Sequence, residues 1–395
     1  MPRFRRTKYL FIYCEDRPLI DIAALLRGQA VLAPIRQILA ISVLTAEEYP
    51  ISRAELDLLL SIPSDAWAER VGDEAAALGR LAVSGLVLSD EPDERLRELR
   101  RGDEVLSSSQ WNVYAALYHF LTKWRDVDVD SSDTPPDPPE LEADSTASFI
   151  RTHGLPPPHF HSVADPLAVA ALPLVERHGG LWDTLARRRT TRAFTPDPLS
   201  ADELSLVLRY TVGCRGYSRV ADGAVVLSKT SPSGGALHPS EVYVLARHVE
   251  GVEPGLYHYG AERHELELLD RLTSDELGTL ATELSAGQPF VADVPVLFLV
   301  TTRFYRNFWK YRRHRRAYAV LLMDAAHLAQ TFYLVCAELG LGAFVTAAAN
   351  GANMEELLGL DRFSEGALAI WGCGRPAARQ ESADFEPYLP RETMI

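Results

Sequence analysis

Arg187-Arg188-Arg189-Thr190-Thr191-Arg192-Ala193-Phe194 and, further along, Ser231-Pro232-Ser233-Gly234-Gly235-Ala236-Leu237-His238-Pro239 are the stretches that decide the fold of this chain. The first packs arginines around two hydroxyls. Guanidinium forks match phosphate oxygens and keep their charge at any accessible pH. The second is a small-residue loop feeding an apolar run, Glu241-Val242-Tyr243-Val244-Leu245, that reads as a strand. Residues with little or no side chain let backbone approach a flat ligand closely. Together the two segments point to a phosphorylated, planar cofactor.

The chain has 395 residues, enough for two or three domains, and its 47% hydrophobic and 24% charged residues suit a globular protein. No run reaches the roughly 18 apolar residues needed to cross a bilayer. The stretch Lys8-Tyr9-Leu10-Phe11-Ile12-Tyr13 is too short and aromatic for a signal sequence and reads as a strand, so a cytoplasmic location is expected. Cys14, Cys214, Cys336 and Cys373 are scattered, which argues against a disulfide framework or a thiolate zinc site. A net charge of −14 argues against non-specific nucleic-acid binding.

Asp126 to Asp144 is rich in Asp, Ser and Pro and loses apolar periodicity, marking an extended linker. Three segments follow: 1–125, an Asp/Pro-rich connector over 126–180, and 181–395. In the first, Ser52 and Glu55 stand in capping-box spacing before Leu56, Leu59 and Leu60. A second helix is expected over Ser64 to Val83, then a strand at Leu86-Val87-Leu88 after Gly85. That order outlines a winged helix. Its recognition segment, Asp65 to Glu74, is acidic and poorly matched to DNA, so peptide or protein docking is the expected role.

From Leu181 the pattern is α+β. Ser200 and Glu203 form another capping box, with Leu204, Val207, Leu208 and Thr211 on one helical face. Gly255 to Tyr259 and Glu265 to Leu269 read as a hairpin, and Val294 to Val300 as a buried strand. A long apolar helix over Ala317 to Leu339 ends before Gly340, and short strands follow at Ala343–Thr346 and Ala367–Trp371.

These pieces, in this order, resemble the nitroreductase-like flavoproteins, and within them the SagB-type peptide-maturation dehydrogenases that include azoline oxidases. The resemblance rests on Arg-Arg-Thr-Thr-Arg-Ala-Phe at 188–194, Pro-Leu-Ser at 198–200 and Pro-Ser-Gly-Gly-Ala-Leu-His-Pro at 232–239. Gly-Leu-Tyr-His-Tyr at 255–259, Asp-Ala-Ala-His at 324–327, Gly-Leu-Gly-Ala-Phe-Val-Thr-Ala-Ala at 340–348 and Leu-Leu-Gly-Leu-Asp at 357–361 complete it. It implies an α+β, nitroreductase-like fold with a central mixed or antiparallel sheet flanked by helices. It also implies FMN at a homodimer interface to which both subunits contribute. By position, Arg188, Arg189, Thr190 and Arg192 would hold the phosphate and ribityl end. Pro232, Ser233 and Gly235 would lie along the isoalloxazine with His238 nearby, and Ala347 and Ala348 would present backbone N–H groups to the flavin N5 edge. Arg375 would reach the phosphate from the C-terminal side or stand as a surface arginine.

Azoline oxidases of this branch carry a Lys-Tyr pair associated with proton removal, and Lys310-Tyr311 looks like it. Here Arg316 of Arg-x-Tyr follows Lys310 by six positions rather than the usual four. Either two residues are inserted, or Arg312 and Arg313 take the functional positions, or the run is a basic rim for an acidic peptide. Asp324 and His327 share a helical face, and a hydrogen-bonded structural pair is expected there rather than a metal site. His159-Phe160-His161 reads as connector. The expected function is an FMN-dependent oxidoreductase acting on a ribosomally made precursor peptide, with azoline dehydrogenation favoured by Lys310-Tyr311. Reduction of dehydroamino acids, a small-molecule nitro or quinone reductase, a flavin-free maturation scaffold and a DNA-binding regulator remain alternatives. No separate nicotinamide-binding fingerprint is present.

Overall fold

The computed structural model describes residues 1–20, 26–28, 32–129, 150–151, 154–155, 157, 160 and 166–380. Most of the Asp/Pro-rich segment, together with His159 and His161, lies outside the described residues.

The N-terminal region opens with β1 (Arg3–Arg6) and a long hairpin, β2 (Leu10–Ile20) and β3 (Leu32–Ser42), followed by β4 (Glu47–Ile51). Helix α1 (Arg53–Ser61) starts at the expected box: Ser52 Oγ accepts from the Glu55 N–H, and the Glu55 carboxylate accepts from the Ser52 N–H. The next helix does not begin at Ser64. A short strand β5 (Ala68–Glu69) pairs with β1, and α2 runs only over Gly72–Val83. Trp67, which carries the Arg5 guanidinium 5.5 Å from its ring, belongs to this extended stretch. Sheet pairing therefore overrides helical propensity over Asp65–Val71, and most of the supposed recognition segment is not helical. Strand β6 (Val87–Ser89) then pairs with the other edge of β1.

Two further helices, α3 (Glu94–Ser108) and α4 (Val113–Leu121), close this region. Asn112 caps α4, its side-chain oxygen accepting from the Tyr114 and Ala115 N–H groups. Beyond α4 the chain does not swing free. The Asp126 and Val127 N–H groups donate to Asn353 and Asn350, and the Val129 N–H to the Ala286 carbonyl.

The second region holds α5 (Leu181–Arg187), α6 (Ala201–Thr211), a separate hairpin β7 (Gly216–Ala221) and β8 (Ala224–Ser228), then β9 (Ser240–Ala246), β10 (Gly255–Gly260) and β11 (Glu265–Arg271). After α7 (Ser274–Leu284) come β12 (Val296–Arg303), α8 (Phe304–Tyr311), α9 (Ala317–Glu338), β13 (Gly342–Thr346), α10 (Gly351–Leu357) and β14 (Glu365–Gly374). The main sheet has six strands in the order β11-β10-β9-β12-β14-β13, antiparallel at each pairing. The alternation expected of a sheet covered on both faces is visible in β12, where Val296, Phe298 and Val300 join one core cluster and Leu297 and Leu299 another.

Helix α9 covers the first of these faces with Leu328, Phe332 and Cys336. By length and composition it is apolar enough to cross a bilayer, contrary to the expectation from sequence. Here it packs on the sheet and carries the buried carboxylate of Asp324. The four cysteines are free, Cys336 and Cys373 being buried.

A further apolar cluster crosses from one region to the other. Tyr9, Leu44, Leu96, Trp111 and Phe120 pack with Phe304, Phe308, Tyr318 and Phe363. Trp111 is 1% exposed and stands at its centre. Truncating so buried an indole typically costs about 3–5 kcal/mol.

Candidate active site

Strand pairing places the glycine loop against the helix that bears Lys310. The loop enters β9 and α8 leaves β12, and these strands are antiparallel neighbours, with Ser240 opposite Thr302. Both segments therefore emerge at one end of the sheet. The Arg303 N–H donates to the Pro239 carbonyl at 2.9 Å, and Arg306 Nε to the Leu237 carbonyl at 2.8 Å.

The loop makes a tight turn over Gly234–Ala236, with positive φ at Gly235 (67°), Ala236 (56°) and His238 (46°). Asp324 holds this turn. One carboxylate oxygen accepts from Ser233 Oγ at 2.5 Å and the other from the Gly234 N–H at 3.0 Å. Ser233 Oγ in turn accepts the His238 N–H at 2.9 Å. Asp324 is therefore a clamp on the loop, not the partner of His327, which is exposed and offers its carbonyl to Ser231 and Thr331. The sequence placed Asp324 on the right helix but could not show what it faced.

Lys310 and Tyr311 lie over the turn. A β-carbon on Gly235 would stand 2.7 Å from Lys310 Nζ and 3.1 Å from Tyr311 Oη, so a larger residue there would displace the lysine tip. Arg312 and Arg313 do not share that position. Arg312 ends α8 with φ 50°, and Arg313 reaches the Ser107 carbonyl at 3.3 Å. His238 donates from Nε2 to the Leu227 carbonyl at 3.2 Å. Burial, and then the charge of Lys229, lower the His238 pKa and favour neutral imidazole; burial also lowers that of Lys229. Pro232, Ser233, His238 and Lys229 converge with Asp324 around a small recess behind the turn.

The arginine segment forms a second cluster, at the edge of β13. Thr190 bridges to Ala343, and the Thr191 N–H donates to the Ala343 carbonyl at 2.8 Å. Tyr333 of α9 secures the contact. Its hydroxyl lies 3.3 Å from Thr190 Oγ1 and accepts from the Val345 N–H, while Arg188 lies over its ring at 5.3 Å. Arg192 lies over Phe290. Ala347 and Ala348 follow the same strand, the Ala348 N–H donating to Thr346 Oγ1 at 3.1 Å. Arg375 is near this segment through its carbonyl, which accepts from the Thr195 N–H, but its guanidinium is ion-paired with Glu203 at 2.7 Å. Arg187 pairs with Glu338.

A flavin phosphate suits what remains. Among the described residues no carboxylate forms an ion pair with Arg188, Arg189 or Arg192. Among the described residues, no hydrogen bond or ion pair joins the arginine cluster directly to the glycine loop. Both clusters instead contact α9, at different turns.

The profile of the Nitroreductase family matches residues 185–375, which contain both clusters. The putative nitroreductase MJ1384 of Methanocaldococcus jannaschii is 33% identical over 187 residues, 46% of this chain and 86% of that protein. The chain belongs to the nitroreductase family. Members of this family bind flavin.

A second relative is the trifolitoxin-processing protein TfxB of Rhizobium leguminosarum bv. trifolii, 33% identical over 183 residues. The match covers 46% of this chain and 48% of TfxB, so the chain spans about half the length of TfxB. Among solved structures, the Escherichia coli microcin synthetase McbBCD complex with truncated pro-MccB17 bound shares the fold. Its TM-score is 0.50 at 20% identity, over 69% of this chain and 94% of that one.

Proposed function

We propose that this nitroreductase-family oxidoreductase is an FMN-dependent, SagB-type dehydrogenase. It converts a thiazoline or oxazoline in a ribosomally synthesised peptide to the azole. The observation that carries this reading is the seating of Lys310 and Tyr311 directly on the Gly234–Gly235 turn. Similarity to a trifolitoxin-processing protein supports a peptide substrate.

Arg188, Arg189 and Arg192 hold the phosphate, with Thr190 beside them and Arg375 as a reserve cation released from Glu203. Pro232, Ser233, Gly235 and His238 line the ring, and the Ala347 and Ala348 backbone borders its N5 edge. FMN bound in this way supplies a hydride acceptor. Lys310 takes the proton from the carbon adjacent to the one that loses hydride, so that two hydrogens leave the azoline and a C=C bond forms. Tyr311 orients the Lys310 amine across the turn, and that amine must be neutral to accept the proton. The separation of the two clusters within one chain supports a homodimer, in which each site is completed by the partner copy. Exposed Leu322 and Met323 on α9 offer apolar surface for that contact.

The visible spectrum of the purified protein, with the released chromophore identified by mass, tests the cofactor. Stoichiometric FMN is expected. Colourless protein that takes up no added FMN would sink the proposal.

The similarity to MJ1384 favours a second reading, a small-molecule nitroreductase. Rapid NAD(P)H oxidation with nitroaromatics, unaffected by Lys310→Ala and without any response to peptide, would favour it.

A further inference from the structure

Helix α8 is held between two surfaces. Its front carries Arg306, Lys310 and Tyr311 onto the glycine loop, and its back is the core of the N-terminal region. The Trp111 ring lies 4.5 Å from that of Phe304 and 4.9 Å from that of Phe308, both at most 1% exposed. Trp111 is itself fixed, donating from Nε1 to the Phe363 carbonyl at 3.2 Å. The next residue fixes the end of the helix: Asn112 Nδ2 donates to the Arg313 carbonyl at 3.0 Å. Arg313 returns the contact through its guanidinium, which donates to the Ser107 carbonyl. Between Tyr311 and Arg313 stands Arg312, a non-glycine residue at φ 50° and ψ −141°. Such a conformation is costly and persists only where its surroundings over-determine it. Here the surroundings are Ser107 and Asn112.

We infer that Trp111 and Asn112 are positioning residues for the Lys310-Tyr311 pair, so that the N-terminal region forms the rear half of the active site. This goes beyond a docking role for residues 1–125, and it rests on the proposed part of Lys310 in the reaction. Neither residue touches the glycine loop. They act through α8, setting where Lys310 Nζ stands relative to Gly235. The geometry needed for proton removal is narrow, and a small displacement of a base lowers turnover far more than substrate binding.

Asn112→Asp separates the two jobs of that side chain. A carboxylate still caps α4 by accepting from the Tyr114 and Ala115 N–H groups, but it has no N–H for the Arg313 carbonyl. Trp111→Phe keeps an aromatic ring against Phe304 and Phe308, removes the donor to Phe363 and leaves a small cavity where the rest of the indole stood. In full-length FMN-loaded protein, hydrogen exchange of the α8 amides should rise about tenfold in each variant, while that of β9 and β12 stays constant. With a synthetic thiazoline peptide, kcat should fall about tenfold at nearly constant KM. In a Lys310→Ala background neither substitution should lower the residual rate further. Unchanged α8 exchange in both variants, or losses that simply add to that of Lys310→Ala, would overturn the inference. Failure of the reaction assigned above has a different signature: wild-type protein that does not oxidise the peptide although α8 exchange responds as expected.

Discussion

Lys310 sets its Nζ 2.7 Å from the point where a β-carbon of Gly235 would stand, so the glycine and the lysine occupy one another's margin. The positive φ of Gly235 adds a second reason for glycine there. Gly235→Ala is expected to cost roughly 1–2 kcal/mol of stability from the left-handed backbone alone. It should also displace Lys310 and lower peptide turnover by about tenfold or more. Denaturation midpoints and steady-state kinetics check the two effects separately.

Asp324 binds the loop through both carboxylate oxygens. Replacing it by Asn keeps its volume but leaves one of the Ser233 and Gly234 donors poorly matched, a loss of about 1–3 kcal/mol for a buried group. We expect Asp324→Asn to weaken FMN binding in fluorescence titrations. Substitution of exposed His327 by Asn should leave FMN affinity unchanged.

The Arg189 and Arg192 guanidiniums, without an ion pair among the described residues, predict discrimination between phosphorylated and unphosphorylated flavin. Arg189→Ala and Arg192→Ala should each weaken FMN by roughly tenfold or more, while affinity for riboflavin stays nearly constant. Equal losses for both flavins would show that these arginines do not meet a phosphate.

The pairing of β9 with β12 explains how much of this site the sequence could reveal. Segments 188–192 and 231–239 announced themselves through residue types that suit phosphate and flat rings, and Lys310-Tyr311 through resemblance. That Lys310 faces Gly235 follows only from the register Ser240 opposite Thr302, a contact between residues far apart in the chain. Capping boxes at Ser52 and Ser200 were legible because their partners lie three residues away. Asp65–Val71 misled because its pattern suits a helix, whereas β1 offers Ala68 and Glu69 an open edge. Trp111 gave no signal, since an indole in a helical region looks the same whether it serves one core or joins two.

His258 ties electrostatics to pH. Glu241 and then Glu267 raise its pKa to about 9 against the opposing effect of burial, and Arg303 pairs with the same Glu241 at 2.7 Å. A histidine raised above its unfolded value near 6.5 stabilises the fold fully below that pH, and the contribution disappears as pH rises through about 9. Wild-type protein should therefore lose its stability advantage over His258→Gln between pH 7 and pH 10, as followed by urea denaturation. A constant difference across that range would contradict the assignment.

The most direct test of the central claim is an anaerobic single turnover of FMN-loaded protein with a synthetic thiazoline peptide, wild type beside Lys310→Ala. We predict that wild type bleaches its flavin and yields a peptide lighter by two hydrogens, whereas Lys310→Ala keeps its FMN and leaves both flavin and peptide unchanged. Equal bleaching and equal product from the two proteins would contradict Lys310 as the base.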